Sequence, residues 1–317
     1  LHLLLATALL AAILVVRRLD KKTLLKLSKS AAPHGPPTPA TGSVTAFDWR
    51  LDALSRGQRQ HLVNVRAAYS AAGGALDDYT DWLMLRFLVA SRWDGRRASE
   101  WAAATAKWRA KSGAAAMRAE ALAGAKLCDD PDMCAMFQHL PLVTAHRTCH
   151  RSWPLTILHV GGYEPAALWT ALDTKRFHAC GYRILEFGLL ALDQACAAQG
   201  RLVRRSLLLD YSGLAMKHMH PYIYWQLQPL LSLPEKYYPE LVGRVCCVNA
   251  PALYAKVFRI IAPWLGAELV ARISVVAPPQ TSAILKTFAP AESMPAAYGG
   301  SHARMPPDVA AMLGIDA

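Results

Sequence analysis

Cysteine is scarce in this chain of 317 residues, which contains seven in total. Their odd number and irregular spacing exclude a disulfide framework of the kind that staples small secreted proteins. Cys246 and Cys247 are adjacent within an apolar run, so their side chains are expected on opposite faces of a strand. The cysteines are therefore interpreted as small buried residues of a protein that works in a reducing compartment.

Charged residues are also few, at 18%, and the 23 acidic residues are outnumbered by 35 Lys and Arg. A hydrophobic fraction of 53% is enough to build a core, which excludes disorder of the whole chain. The net charge of +12 predicts attraction to an anionic partner. Because no nucleic-acid recognition motif is present, an anionic membrane surface is the predicted partner and nucleic acid is not.

The motifs of several enzyme classes are missing. The chain has no Gly-x-Ser-x-Gly elbow, no Gly-x-Gly-x-x-Gly and no Gly-x-x-x-x-Gly-Lys-(Ser/Thr) phosphate loop. A group of cysteines and histidines over residues 128–150 begins with the pair Cys128 and Cys134, which is wider than the usual zinc-binding pair. We therefore predict no catalytic residues and no metal site, and a hydrolase is the enzyme alternative.

Residues 1–16 read LHLLLATALLAAILVV, and Lys and Arg residues are concentrated in residues 17–29. A helix of this length spans about 24 Å, against about 30 Å of hydrocarbon. The positive flank favours a membrane anchor that keeps the remainder cytoplasmic, with a targeting peptide, a buried helix or a gene-model artefact as alternatives. Residues 17–46 are basic and contain the proline-rich stretch PHGPPTPATGS, which predicts a stiff linker.

Residues 47–125 are predicted to form a small helical module. Apolar residues recur at helical spacing over residues 81–89, and a weaker helix is predicted over residues 55–72. Trp101, Thr105 and Trp108 form one helical stripe, which is interpreted as core packing, and Gly113 is expected to end this helix.

From residue 150 onwards, short apolar runs alternate with longer amphipathic stretches. The runs are at residues 155–160, 206–209, 245–248 and 273–276, and the amphipathic stretches include residues 177–199 and 217–231. This alternation predicts an α/β domain with a mostly parallel or mixed sheet flanked by helices. We place this domain at residues 126–305, followed by a tail at residues 306–317.

Residues 251–265, PALYAKVFRIIAPWL, carry an unusually wide apolar stripe. The polar side of this predicted helix has only Lys256 and Arg259, and Pro263 interrupts it near its end. Two interpretations are open: a buried core helix, or a movable lid that faces an apolar cavity or a bilayer surface.

Four stretches of the sequence stand out together. They are LRFLVASRWDGRRASEWAAATAKWR at 85–109, SLLLDYSGL at 206–214, YYPELVGRVCCVNAPALYAKVFRIIAPWL at 237–265 and FAPAESMPAAYGGSH at 288–302. Together they resemble the CRAL-TRIO lipid-binding family, of the phosphatidylinositol-transfer type. Their order and spacing agree with the family, and the Asn-Ala-Pro at 249–251 and the Gly-Gly at 299–300 are intact.

The resemblance implies a helical module followed by a domain whose sheet forms the floor of a lipid cavity, with residues 251–265 as the gate helix. It implies head-group binding by Glu240, Arg272 and Arg92. For Glu240 and Arg272, ordinary surface charge is the alternative. It also implies a cavity and gate lined by apolar residues of strand and gate: Leu207, Leu209, Leu253, Val257, Phe258, Ile261 and Trp264.

The resemblance further implies a monomeric, non-enzymatic protein that has no cofactor besides a bound phospholipid or other lipid. It would act in the cytoplasm, peripherally or anchored on a membrane, and transfer lipid between membranes. Leu241 replaces the arginine that normally follows Glu240, and Arg205 and Leu207 replace a Ser and a Thr of the family's phosphatidylcholine binders. Phosphatidylinositol is the favoured lipid, and a sterol, an isoprenoid or a scaffold role without lipid exchange are the alternatives.

Overall fold

A computed structural model describes residues 49–140, 142–215, 218, 229–230, 233–251, 254 and 267–301. For residues 142–147, 235, 267 and 268 it describes the backbone alone. The apolar segment 1–16, most of the stretch 217–231 and most of the predicted gate 251–265 therefore lie outside the described residues. Within the described ranges, no helix combines the length and the apolar character needed to cross a membrane.

The amino-terminal part of the described chain is helical, as the sequence predicts. Its helices are α1 (Arg56–Ala71), α2 (Thr80–Ala90), α3 (Gly95–Ser112) and α4 (Ala114–Leu122). Helix α1 begins with a capping box in which Ser55 and Gln58 each satisfy the other's backbone N–H. Helix α3 ends at Gly113, whose φ of 80° is a left-handed conformation that glycine adopts without strain.

The remainder of the described chain alternates strands and helices. The strands are β1 (Leu142–Thr148), β2 (Pro154–His159), β3 (Arg205–Asp210), β4 (Val242–Val248) and β5 (Ile273–Val275). The helices are α5 (Pro131–His139), α6 (Pro165–Ala171), α7 (Thr174–Gln199), α8 (Leu233–Tyr237), α9 (Ala267–Val270) and α10 (Pro278–Phe288). Short 3-10 turns lie at Leu127–Asp129, Val160–Gly162, Ala291–Ser293 and Ala296–Tyr298.

The strands form one sheet in the order β1-β2-β3-β4-β5. Strand β1 is antiparallel to β2, and the other neighbouring pairs are parallel. The mixed, mostly parallel sheet confirms the predicted fold class. The middle strand, β3, is buried from Ser206 to Asp210, which explains why it reads as a continuous apolar run.

Two buried acidic side chains of helix α7, Glu186 and Asp193, connect this helix of the sheet domain to the helical module. Arg109 Nε donates to Glu186 Oε1 at 2.8 Å. Arg118 Nη1 and Arg86 Nε donate to the two carboxylate oxygens of Asp193 at 3.1 and 3.2 Å. Because a buried charge is costly without its partner, these pairs make the module and the sheet domain depend on each other.

Candidate functional site

Three charged side chains meet at the amino-terminal ends of three neighbouring strands. Arg204 directly precedes β3, Glu240 lies shortly before β4, and Arg272 directly precedes β5. The amino-terminal ends of parallel strands lie along the same edge of a sheet, so side chains distant in sequence come together there. We call Arg204, Glu240 and Arg272 the charged triad.

Glu240 is the centre of the triad. Its Oε1 accepts a hydrogen bond from Arg272 Nη2 at 3.0 Å, and its Oε2 accepts one from Arg204 Nε. Only 6% of its side chain is exposed, which is not the environment of an ordinary surface charge. Burial raises the pKa of Glu240, but the guanidinium groups of Arg204 and Arg272 outweigh burial and hold it below its ordinary value. Glu240 is therefore ionised at neutral pH.

The backbone of Glu240 is held as firmly as its side chain. Its φ of 56° is left-handed, which is uncommon for a residue other than glycine. Arg86 Nη1 donates to the carbonyl oxygen of Glu240 at 2.9 Å and to that of Val203 at 3.0 Å. Arg86 thus connects helix α2 to the chain segments that carry Glu240 and Arg204.

Arg272 is bound by two acceptors. Its Nη1 donates to the carbonyl oxygen of Val242 at 2.7 Å, while Nη2 donates to Glu240. Its side chain is 21% exposed, so a ligand can reach it from one side. The structure thus brings together Glu240 and Arg272, two of the three residues predicted to bind a head group.

Arg92, the third predicted head-group residue, lies in the turn after helix α2. Its side chain is exposed, and its φ of 56° and that of 67° at Trp93 form a tight left-handed turn. This turn precedes Asp94, which caps helix α3 by accepting a bond from the backbone N–H of Arg97. The contribution of Arg92 to ligand binding stays a prediction.

Arg204 belongs to the site but was not predicted from the sequence. Its guanidinium lies over the ring of Trp153, 5.7 Å from the ring centroid. Burial lowers the pKa of Arg204, as do the charges of Arg272 and Arg86, while Glu240 raises it. One signal could have revealed it: an arginine directly before a parallel strand lies at the same sheet edge as Glu240 and Arg272.

Trp153 reaches this position because Gly243 has no side chain. Strand β4 has one extra residue at Gly243 relative to β3, since Arg205 pairs with Val242 and Ser206 pairs with Arg244. A Cβ on Gly243 would lie 2.0 Å from Cζ3 of Trp153. The bulge at Gly243 therefore leaves room for the ring of Trp153, over which the guanidinium of Arg204 lies.

The two predicted lining residues of β3 are both buried. Leu207 and Leu209 alternate with Ser206 and Leu208, so they share one face of the strand with Arg205. Arg205 Nη2 donates to the carbonyl oxygen of Gly188 at 2.9 Å, which places this face against helix α7. The five gate residues Leu253, Val257, Phe258, Ile261 and Trp264 lie outside the described residues.

A second polar cluster lies at the opposite, carboxyl-terminal edge of the sheet. Asp210 Oδ1 accepts a bond from Asn249 Nδ2, and Oδ2 accepts one from the Tyr298 hydroxyl, each at 2.8 Å. His159 Nδ1 lies 3.4 Å from Oδ2. Burial raises the pKa of Asp210, but these partners together lower it well below its ordinary value.

This cluster gives a physical role to three of the motifs in the sequence. Asp210, Asn249 and Tyr298 come from the Asp-x-x-Gly, Asn-Ala-Pro and Tyr-Gly-Gly stretches, respectively. Their hydrogen bonds fasten the ends of β3 and β4 to the carboxyl-terminal segment. Among the described residues, no group of three or more His, Cys, Asp or Glu side chains is placed to hold a metal ion.

The α/β part of the chain matches a known protein family. Residues 150–300 match the family model described as the CRAL/TRIO domain.

Individual proteins are similar over longer stretches. Phosphatidylinositol transfer protein CSR1 of Eremothecium gossypii is 27% identical over 227 residues, which cover 70% of this chain and 48% of that protein. The chain thus spans about half the length of CSR1. The Sec14 cytosolic factor of Schizosaccharomyces pombe is 26% identical over 230 residues, 71% of this chain and 75% of that protein.

A solved structure supports the same fold. The crystal structure of Sfh5 superposes with a TM-score of 0.53 and covers 79% of this chain and 89% of that one. Its sequence is 15% identical, so this likeness shows the fold alone.

Proposed function

We propose that this chain binds a phospholipid in its CRAL/TRIO domain and transfers it between membranes, with phosphatidylinositol as the favoured lipid. The charged triad is the observation that carries the proposal. A phospholipid whose acyl chains leave water gains about 0.8 kcal/mol per CH₂, but its phosphate is costly to bury without cationic or hydrogen-bonding partners. Arg272, partly exposed beside the ionised Glu240, supplies such a partner.

Glu240 suits the polyol part of the same head group. A buried, ionised carboxylate accepts hydrogen bonds from hydroxyl groups, and inositol carries several of them. The similarity to CSR1, which is named as a phosphatidylinositol transfer protein, supports the same lipid class. The function involves no chemical turnover and no cofactor other than the lipid.

The remaining parts of the proposal concern where the protein acts. The net charge of +12 favours docking on an anionic membrane, because juxtamembrane Lys and Arg each contribute about 1 kcal/mol at an acidic surface. The protein would act as a monomer on the cytoplasmic side, peripherally or held by residues 1–16. Residues 251–265 would open the cavity when the protein meets the membrane.

Mass spectrometry of lipids that copurify with the full chain tests this function. The expected result is a phospholipid in about equimolar amount, with phosphatidylinositol enriched over its share of the host membrane. A sterol or an isoprenoid in place of the phospholipid would show that the ligand belongs to another lipid class. Absence of any lipid, together with no transfer between vesicles, would favour a scaffold role and contradict the proposal.

A further inference from the structure

We infer that Arg204 is a specificity-determining residue, which makes the charged triad a receptor for the phosphate of a net-anionic head group and disfavours zwitterionic lipids. This inference rests on the proposed function, and it assigns a role to a residue that no motif of the sequence marks. Three observations carry it: the charge balance of the triad, the hydrogen-bonding state of Arg204, and the way its guanidinium is fixed in place.

The charge balance follows from the two ion pairs. Glu240 carries one negative charge and is bonded to two guanidinium groups, through a different carboxylate oxygen for each. Arginine stays protonated in proteins, so the triad retains one net positive charge. A phosphodiester carries one negative charge and neutralises that excess. The head group of phosphatidylcholine carries a quaternary ammonium as well as a phosphate. Its net charge is zero, so it does not neutralise the excess positive charge of the triad.

The guanidinium of Arg204 has N–H donors besides the one that binds Glu240. In the described part of the chain, its Nε donates to Glu240, and Nη1 and Nη2 are left available for a ligand. A guanidinium presents parallel N–H groups that match two oxygens of a phosphate. Its side chain is 12% exposed, so it is largely withdrawn from water and its attraction for an anion is only weakly screened.

The guanidinium of Arg204 is also held in place before any ligand binds. Glu240 fixes one edge of it, and the ring of Trp153 lies beneath it at 5.7 Å from the centroid. Arg272 is fixed by its hydrogen bonds to the carbonyl oxygen of Val242 and to the carboxylate of Glu240. Two guanidinium groups fixed by the same carboxylate lose little side-chain entropy when an anion arrives, which improves affinity and selectivity.

A lipid-loading assay tests the inference. The full chain is incubated with vesicles that contain phosphatidylinositol and phosphatidylcholine in equal amounts, and the bound lipids are quantified by mass spectrometry. We expect Arg204→Gln to lower the bound ratio of phosphatidylinositol to phosphatidylcholine at least tenfold, which corresponds to about 1.4 kcal/mol. Arg204→Lys keeps the charge and should retain most of the preference for the anionic lipid, with weaker loading.

Arg96→Gln is the matched control, because it removes one positive charge from a side chain that is 90% exposed and pairs with Glu100. Thermal unfolding of each variant shows whether it is folded. If Arg204→Gln does not fold, the Arg204→Lys variant is the test. The inference is overturned if Arg204→Lys loads lipid to the same extent as the wild type and with the same selectivity. An unchanged ratio in folded Arg204→Gln, or an equal drop in Arg96→Gln, would overturn it as well.

Titrations with inorganic phosphate and with glycerophosphoinositol, followed by calorimetry, separate a lipid head group from free phosphate. We expect glycerophosphoinositol to bind the wild type and to bind Arg204→Gln at least tenfold more weakly. Inorganic phosphate that binds as tightly as the lipid head group would overturn the lipid assignment. A wild type that loads no phospholipid would overturn the proposed function itself, whereas loading that is indifferent to Arg204 would overturn this inference alone.

Discussion

Arg86 Nη1 donates a hydrogen bond to the backbone carbonyl oxygen of Glu240 at 2.9 Å, across 154 positions of the chain. The same guanidinium bonds to Asp193 of helix α7 and is fully buried. One side chain of the helical module therefore orients the residue at the centre of the charged triad. The helical module therefore helps to hold Glu240 in position within the charged triad.

Replacing Arg86 should destabilise the whole protein. Arg86→Leu leaves Asp193 with one of its two buried cationic partners and leaves the Glu240 carbonyl without its donor. We expect a loss of about 3–5 kcal/mol in the free energy of unfolding, measured by urea denaturation. Arg96→Gln, at the exposed end of α3, should change it by about 0.5 kcal/mol or less. Equal stabilities of the two variants would show that the buried pair does not couple the module to the sheet domain.

The bulge at Gly243 gives a second prediction. In Gly243→Ala the added Cβ would collide with Trp153, so the ring must move away from Arg204. We expect a destabilisation of about 1–3 kcal/mol by urea denaturation, together with a change in tryptophan fluorescence. Gly57→Ala is the matched control, because a Cβ there meets no atom within 4 Å. A fully stable Gly243→Ala with an unchanged spectrum would contradict the packing of Trp153 on the bulge.

Tyr298 should hold the carboxyl-terminal segment to the sheet. Its hydroxyl donates to the buried, ionised Asp210, and a hydrogen bond to a charged group contributes about 1.5–3 kcal/mol. Tyr298→Phe removes that bond and keeps the ring, so the unfolding free energy should fall by about that amount. Tyr182→Phe, on the half-buried face of α7, serves as the control. If the two variants are equally stable, the cluster around Asp210 does not fasten this segment.

The stability of the triad should depend on pH. The pKa of Glu240 lies below its ordinary value of 4.5 in the folded protein, so folded Glu240 binds its proton less readily than unfolded Glu240 does. The stabilisation is therefore fully present above about pH 5 and is lost as the pH falls through the lower folded value. We expect wild type and Glu240→Gln to differ by about 1.5–3 kcal/mol at pH 7, and we expect this difference to shrink as the pH falls below about 5.

Urea denaturation at several pH values measures this difference. Glu292→Gln, at an exposed position, is the control and should show no such change of the difference with pH. A gap between wild type and Glu240→Gln that stays constant from pH 7 to pH 3 would mean that Glu240 is not stabilised in its ionised form.

The inner strands β2, β3 and β4 could be predicted from the sequence because their residues are largely buried and read as apolar runs. The four predicted runs fall within a few residues of β2, β3, β4 and β5. Strand β1 was missed because LVTAHRT mixes apolar and polar residues and has no long apolar run. An edge strand needs only one hydrogen-bonded neighbour, so its composition is less constrained.

The candidate site was predictable only in part. The resemblance pointed to Glu240 and Arg272, which the structure brings within hydrogen-bond distance. Arg204 is separated from Glu240 by 36 positions, and its proximity depends on β3 and β4 being neighbours in the sheet. The order of the strands in the sheet is determined by tertiary packing, so it cannot be predicted from hydrophobic periodicity along the chain.

Transfer of labelled phosphatidylinositol from donor to acceptor vesicles measures the proposed function itself, with the wild type and Arg272→Ala compared under identical conditions. We expect transfer by the wild type and a rate at least tenfold lower in folded Arg272→Ala, a difference of about 1.4 kcal/mol. If the wild type moves no phosphatidylinositol, the proposed function is wrong; if folded Arg272→Ala moves it at the same rate, Arg272 does not hold the head group.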